Sequence, residues 1–123
     1  MSRIEDSPLI TFVLVAYDQE QFIAEAVQGA FSQTYSPLEI ILSDDCSPDR
    51  SFKIMQAQAK AYQGPHEVHV RRNQQNLGLI QHINSLMQLV NGELVVIAAG
   101  DDVSLPSRVA RTYEGYLLSL IHI

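Results

Sequence analysis

Glu93-Leu94-Val95-Val96-Ile97-Ala98-Ala99-Gly100-Asp101-Asp102-Val103-Ser104-Leu105-Pro106 is the stretch whose reading decides the fold. Leu94 to Ala99 is an unbroken apolar run, and three of its six residues are β-branched. A short apolar run bounded by turn residues predicts a strand buried on both faces. Gly100 ends the run, and Asp101 and Asp102 follow at once. Adjacent carboxylates repel, and each raises the other's pKa. A divalent cation removes that cost, and hard oxygen ligands suit Mg²⁺ or Mn²⁺, which commonly bridge carboxylates to phosphates. A second reading makes Asp102 or Ser104 a helix cap ahead of Pro106, a residue suited to a first helical turn. Both readings stand at this point.

Outward from that stretch, the chain alternates. Leu9–Ala16, Leu38–Leu42 and a short alternating Glu67–Val70 are the other strand candidates. Between them, apolar stripes recur at helical spacing. The first is Phe22, Ile23, Ala26, Val27, Ala30 and Phe31; the second is Phe52, Met55, Ala59 and Tyr62. The third is Leu79, Ile80, Ile83, Leu86, Met87 and Val90, closed by Asn91-Gly92. Ser47-Pro48 reads as the cap and first residue of the second helix. A fourth helix is expected over Arg108–Leu118. The order β-α-β-α-β-α-β-α predicts an α/β domain: a mostly parallel sheet with right-handed crossovers and helices on both faces.

In such sheets ligands bind beyond the carboxyl ends of the strands. Tyr17 and Asp18 follow the first strand, Asp44 and Asp45 the second, Asn73–Gly78 the third, and Asp101 and Asp102 the fourth. All converge on one edge. The opposite connections (33–37, 64–66 and 91–93) carry only turn chemistry. The first turn, Ala16-Tyr17-Asp18-Gln19-Glu20, has no glycine, so no backbone cradle for a pyrophosphate exists there. A diphosphate held here needs a metal. Tyr17 can stack on a flat base or cap the core edge. Asp45 can accept from a base or ribose, or serve as a turn residue.

The totals narrow the class. The 123 residues fit one domain, 46% hydrophobic and 18% charged, as in ordinary globular proteins. A net charge of −6 argues against a nucleic-acid surface. The single cysteine, Cys46, excludes an internal disulfide and fits a reducing, cytoplasmic setting. No apolar run approaches the roughly 18–20 residues of a membrane span, and Met1–Asp6 lacks the apolar core of a signal peptide. His66, His69, His82 and His122 show no metal-ligand spacing and read as packing or solvated residues. Arg71 and Arg72 read as solvated charges.

These segments together resemble the N-terminal half of a family 2 glycosyltransferase domain with the GT-A fold. Val13-Leu14-Val15-Ala16-Tyr17-Asp18 is similar to an opening strand ending "V-x-x-Y-N", with Asp18 where Asn is usual. Ser32-Gln33-Thr34-Tyr35 and Leu38 through Asp49 resemble "S-Q-T-x … E-I-I-V-x-D-D-G-S-x-D". Asn76-Leu77-Gly78 with Asn84 resembles "N-x-G … N". Gly92-Glu93 through Arg108 resembles "G-E-x-x-x-x-x-D-x-D-D-x-x-x-P-x-R". The resemblance covers about residues 9–111 of a single, incomplete domain.

The resemblance implies a metal-assisted, inverting transfer of a sugar from a nucleoside diphosphate, often uridine, to a saccharide, lipid-linked or protein acceptor. It implies nucleotide contacts from Ala16, Tyr17, Asp44, Asp45, Asn76, Gly78 and Gly100, and Mn²⁺ or Mg²⁺ held by Asp101 and Asp102. Ala99 stands where the first aspartate of the "D-x-D" motif is usual, so Asp102 is expected to compensate. No catalytic residue is expected in this chain, because the family's base lies on the acceptor side, beyond Ile123. The chain is then the donor-binding half, inactive alone and with an uncovered sheet edge; a non-catalytic nucleotide- or metal-binding module is the alternative. A phosphoacceptor receiver domain fits poorly, because its acidic pair belongs after the first strand. Residues 118–123 read as an artefactual tail, resembling translated adapter sequence, with no structure assigned.

Overall fold

The computed structural model describes residues 7–121; the expectations for Met1–Asp6 and for the last two residues lie outside them. Eight elements alternate: β1 (Ile10–Ala16), α1 (Ile23–Phe31), β2 (Leu38–Asp44), α2 (Ser51–Ala61), β3 (Glu67–Arg72), α3 (Leu79–Leu86), β4 (Leu94–Ala99) and α4 (Arg108–Ile121). The strands form one parallel sheet in the order β3-β2-β1-β4. The chain reverses direction across the sheet after β3, so the carboxyl ends of β1 and β4 flank a switch point, where such folds open a crevice.

Helices cover both faces, unequally. Phe12, Leu14, Ile40, Leu42, Val96 and Ala98 pack with α1, α2 and α4 through Ile23, Val27, Met55 and Val109. The opposite face is thinner: Val13, Val15 and Ile41 meet Leu86, with Ile83, Val90 and Val95 at the margin. Burying side chains of this size removes roughly 1.5–3 kcal/mol each from water exposure, so the first face carries most of the core energy.

Expectations for five elements change, each for a physical reason. β4 is not buried on both faces: Ile97 is 37% exposed, because β4 is an edge strand and α3 lies over the sheet centre. β2 and β3 each run two residues beyond their expected ends, since Ser43 pairs with Arg71 and Asp44 with Arg72. α2 starts at Ser51, not Pro48. The Ser47 amide and hydroxyl both donate to Asp44, which pulls that turn away from helical geometry. α4 continues to Ile121, past the expected end at Leu118, because Ser119-Leu120-Ile121 holds no helix breaker.

Candidate functional site

The first two strand-end loops are zipped together by side-chain acceptors. The Asp18 amide donates to Ser47 Oγ, the Gln19 amide to Ser51 Oγ and the Glu20 amide to Asp49 Oδ2, at 2.9–3.0 Å. In return the Arg50 amide donates to Glu20 Oε1 at 3.1 Å. Asp18 and Cys46 both adopt positive φ, 56° and 62°, where non-glycine residues are uncommon. The zipper holds them there and so fixes the rim of a cleft.

That cleft, about 380 Å³, opens at the carboxyl edge and is lined by Ala16, Tyr17, Gln19, Asp45, Asn76, Gly78, His82 and Asp101, with Leu79 and Ala99. Of the expected site residues, the fold therefore gathers Ala16, Tyr17, Asp45, Asn76, Gly78 and Asp101. It does not bring Asp44, Gly100 or Asp102 to the lining. Asp44 is the last residue of β2, and side chains alternate across a sheet. Its carboxylate turns toward α2 and is fully buried against Ser47, with Arg72 Nε at 3.6 Å. Gly100 packs behind the rim, where a Cβ would strike Gln19, Ile23 and Ala16.

Asp45 is 3% exposed and its carboxylate is already well served. Oδ1 accepts from Asn73 Nδ2 and the Leu77 amide, both at 2.8 Å, and Oδ2 accepts from the Gly78 amide at 3.0 Å. Burial opposes its ionisation, but these donors outweigh it and hold the carboxyl below its ordinary value. Asp45 thereby ties the loop after β3 to the end of β2. Gly78, with φ of 86°, makes the turn that lets its amide reach back.

The two residues expected to hold a metal divide. Asp102 is paired with Arg108 NH1 at 3.2 Å, and the same guanidinium donates to Ser104 Oγ and the Ile97 carbonyl. Asp102 and Ser104 thus hold a side chain rather than the helix's amide ends, which overturns the cap reading. Asp101 is exposed, lines the cleft and bonds no protein group among the described residues. An exposed carboxylate with free oxygens fits a hard cation that keeps waters and takes its remaining ligands from phosphate.

Two readings of basic residues are corrected. Arg71 is not a solvated charge: it donates to Ser43 Oγ and, at 2.8 Å, to Asn73 Oδ1, because the longer β3 places it beside Ser43. Arg72 is likewise engaged, with the Ser47 carbonyl at 3.1 Å and stacked over Phe52. His69 does join two carboxylates, Glu39 and Glu67, within 4.8 Å. That cluster sits at the amino end of the sheet, far along the strands from Asp101. It also overturns the expectation of mere turn chemistry there, since Glu39 is 1% exposed and takes bonds from Thr11 and Asn91.

Sequence reasoning missed Gln19 and His82 as lining residues, and Ser47, Asp49 and Ser51 as the loop zipper. It also missed Gln33, whose amide Nε2 donates to the Leu105 carbonyl at 2.8 Å and whose Oε1 accepts from the Val109 amide. Gln33 so fixes the loop between Asp101 and α4. Its place in the "S-Q-T" segment was the available signal.

A parallel α/β sheet with a polar crevice at its switch point defines a doubly wound class of fold, whose ligands bind in that crevice. The family follows from comparison: the sequence profile of "Glycosyl transferase family 2" matches residues 11–116, and the chain belongs to that family. It is 29% identical over 108 residues to an uncharacterized glycosyltransferase of Haemophilus influenzae, covering 88% of this chain and 32% of that protein. It is 27% identical to the putative glycosyltransferase EpsE of Bacillus subtilis, with 88% and 38% covered. The chain thus spans about a third of the length of these relatives. In structure it is similar to the mannosyltransferase PcManGT of Pyrobaculum calidifontis, solved with GDP-Man and Mn²⁺ (TM-score 0.78, 20% identity, 87% of this chain and 32% of that one). It is also similar to S. aureus TarS solved with UDP-GlcNAc (TM-score 0.73, 19% identity, 85% and 30% covered). These likenesses establish the GT-A fold, present here as an incomplete domain.

Proposed function

We propose that this chain is the donor-binding half of an inverting glycosyltransferase that takes its sugar from a nucleoside diphosphate, uridine diphosphate in the first instance. The observation that carries the reading is one cleft that joins Tyr17, Asp45, Asn76 and Gly78 to Asp101, which pairs with no group among the described residues. Tyr17, 46% exposed, offers a stacking face, and Asp45 offers an acceptor to the base. Asn76 and the Gly78 turn line the nucleoside seat. Asp101 would hold Mn²⁺ or Mg²⁺ together with diphosphate oxygens, and Asp102, already on Arg108, would orient the loop instead of compensating for Ala99. When bound, the ion supplies charge neutralisation to the leaving diphosphate. The neighbours solved with GDP-Man, Mn²⁺ and UDP-GlcNAc support such a donor and ion.

The chain matches about a third of the length of these relatives, and this reading assigns the general base and the acceptor site to the rest of that length. One relative, 27% identical, is named as the putative colanic acid biosynthesis glycosyl transferase WcaA of Escherichia coli, which supports a cell-surface polysaccharide as the product class. A cytoplasmic location belongs to the same reading, supported by one free cysteine and by the absence, among the described residues, of a helix able to cross a membrane.

Calorimetric titration of UDP with and without Mn²⁺ tests this. Binding should need the ion and be lost in Asp101→Ala. Absence of binding in a folded sample would sink the donor reading. Ala99 favours one other reading, a nucleotide module that needs no metal; metal-independent UDP binding, unchanged by Asp101→Ala, would favour that.

A further inference from the structure

His82 lines the cleft yet has no part in the reading above. It is 2% exposed and sits on the first turn of α3, over the carboxyl end of β2. Its Nε2 lies 2.7 Å from Ser43 Oγ. That oxygen already accepts from Arg71 NH1. Among the described residues the buried Ser43 hydroxyl has no other acceptor for its hydrogen, so it donates to Nε2. A neutral ring that accepts at Nε2 carries its proton on Nδ1. Burial disfavours the imidazolium, and Arg71 adds to this; Asp45 and Asp44 oppose it without prevailing, so the ring stays neutral near pH 7. Among the described residues Nδ1 bonds no protein group, and it is not among the buried atoms left without a partner.

Asp45 presents the complementary half. A carboxylate has about four lone-pair positions. Two on Oδ1 and one on Oδ2 are taken, which leaves one on Oδ2. The cleft is thus furnished with one acceptor and one donor, each fixed from behind by Asn73 and Ser43, which Arg71 bridges. We infer that His82 is a base-reading residue, donating from Nδ1 to a carbonyl oxygen of the nucleobase while Asp45 accepts the adjacent ring N–H. The inference rests on the donor-nucleotide reading and deepens it. Uracil and guanine carry a ring N–H beside a carbonyl. In the same seat cytosine and adenine place a ring-nitrogen lone pair against the free lone pair of Asp45.

The experiment is titration of UDP, CDP and pyrophosphate, each with Mn²⁺, into the full chain and two variants. His82→Leu should weaken UDP about tenfold, the loss of one buried hydrogen bond, and reduce the preference for UDP over CDP. His82→Gln, which keeps a donor, should stay within about threefold of the parent. Pyrophosphate affinity should not move in either. UDP affinity unchanged in His82→Leu, or UDP and pyrophosphate weakened alike, would overturn the inference by assigning His82 a packing role only. If His82→Leu fails to fold, the ligand is varied instead: 2-thio- or 4-thio-UDP, with a poorer acceptor at one carbonyl, should bind the parent chain about fivefold more weakly than UDP. Equal binding of both thio analogues and UDP would overturn it as well. If no nucleoside diphosphate binds the parent chain, the donor reading falls and this inference with it; if UDP binds but none of these changes matter, the inference falls alone.

Discussion

Glu39, near the start of β2, and Asp45, just past its end, close the two ends of one stripe, both nearly fully buried, both ionised, both served by three donors. Glu39 takes Thr11 Oγ1 at 2.8 Å, the Asn91 amide at 3.1 Å and Asn91 Nδ2 at 2.7 Å. Asp45 takes Asn73 Nδ2 and two amides. Between them Ile41 shares an apolar cluster with Leu86, and Ser43 meets His82 and Arg71. The difference is what lies outside. Glu39 is roofed by the turn after α3, which it anchors through Asn91 and, by way of Thr11, the Gly92 amide. Asp45 borders an open cleft. The same chemistry is a closed staple at one end and a cleft-facing acceptor at the other. Burial and pairing are alike at the two ends; access is what differs.

The comparison is broken most directly by removing each carboxylate. Glu39→Leu leaves the Thr11 hydroxyl and Asn91 donors facing an apolar group, and should cost about 3 kcal/mol in urea unfolding. Its UDP affinity, measured where the variant is folded, should be unchanged. Loss of binding there would mean that the two ends are coupled. Asp45→Asn should do the reverse: about 1–2 kcal/mol of stability, from an NH₂ set against an amide donor, with UDP weakened more than tenfold.

Acid should separate the two ends. Burial first of all holds His82 below its ordinary 6.5. The unfolded chain then takes a proton that the folded chain refuses, so stability begins to fall as the pH drops below about 6.5. Glu39 and Asp45 are held below their ordinary 4.5 and 3.8, because their donors outweigh burial. The stability they lend is full above those values and is lost as the pH falls through the lower, folded ones. Thermal unfolding from pH 7.5 to 3 should show both stages, and His82→Gln should flatten only the upper one. The smallest effect expected is at Cys46, held at φ 62°. Cys46→Gly should stabilise by about 1 kcal/mol by relieving the left-handed conformation, with UDP binding intact. A destabilised variant would mean that the contact of Sγ with the Gln74 carbonyl, at 3.7 Å, outweighs the strain.

The site was legible where it depends on sequence-local facts. Tyr17, Asp45, Asn76, Gly78 and Asp101 follow strand ends, and a parallel sheet brings strand ends together. Asp44 and Asp102 were read with their neighbours because adjacent letters look alike. Asp44 continues β2 and turns to the other face, and Asp102 meets Arg108 across a loop. His82, Arg71 and Glu39 were not legible as partners. Their bonding groups lie 28 to 52 positions away in the chain, and no local pattern encodes such distances.

What the sequence determined by itself is the element order, the parallel sheet and the edge on which polar residues converge. Those follow from apolar periodicity and turn chemistry, which act over a few residues. Tertiary structure alone decided which carboxylate of each pair faces the cleft, which charges are paired, and that a neutral histidine stands beside Asp45. Those are set by strand register and by where α3 and α4 dock. A shift of one residue in strand register would turn the β2 and β3 side chains among them to the other face.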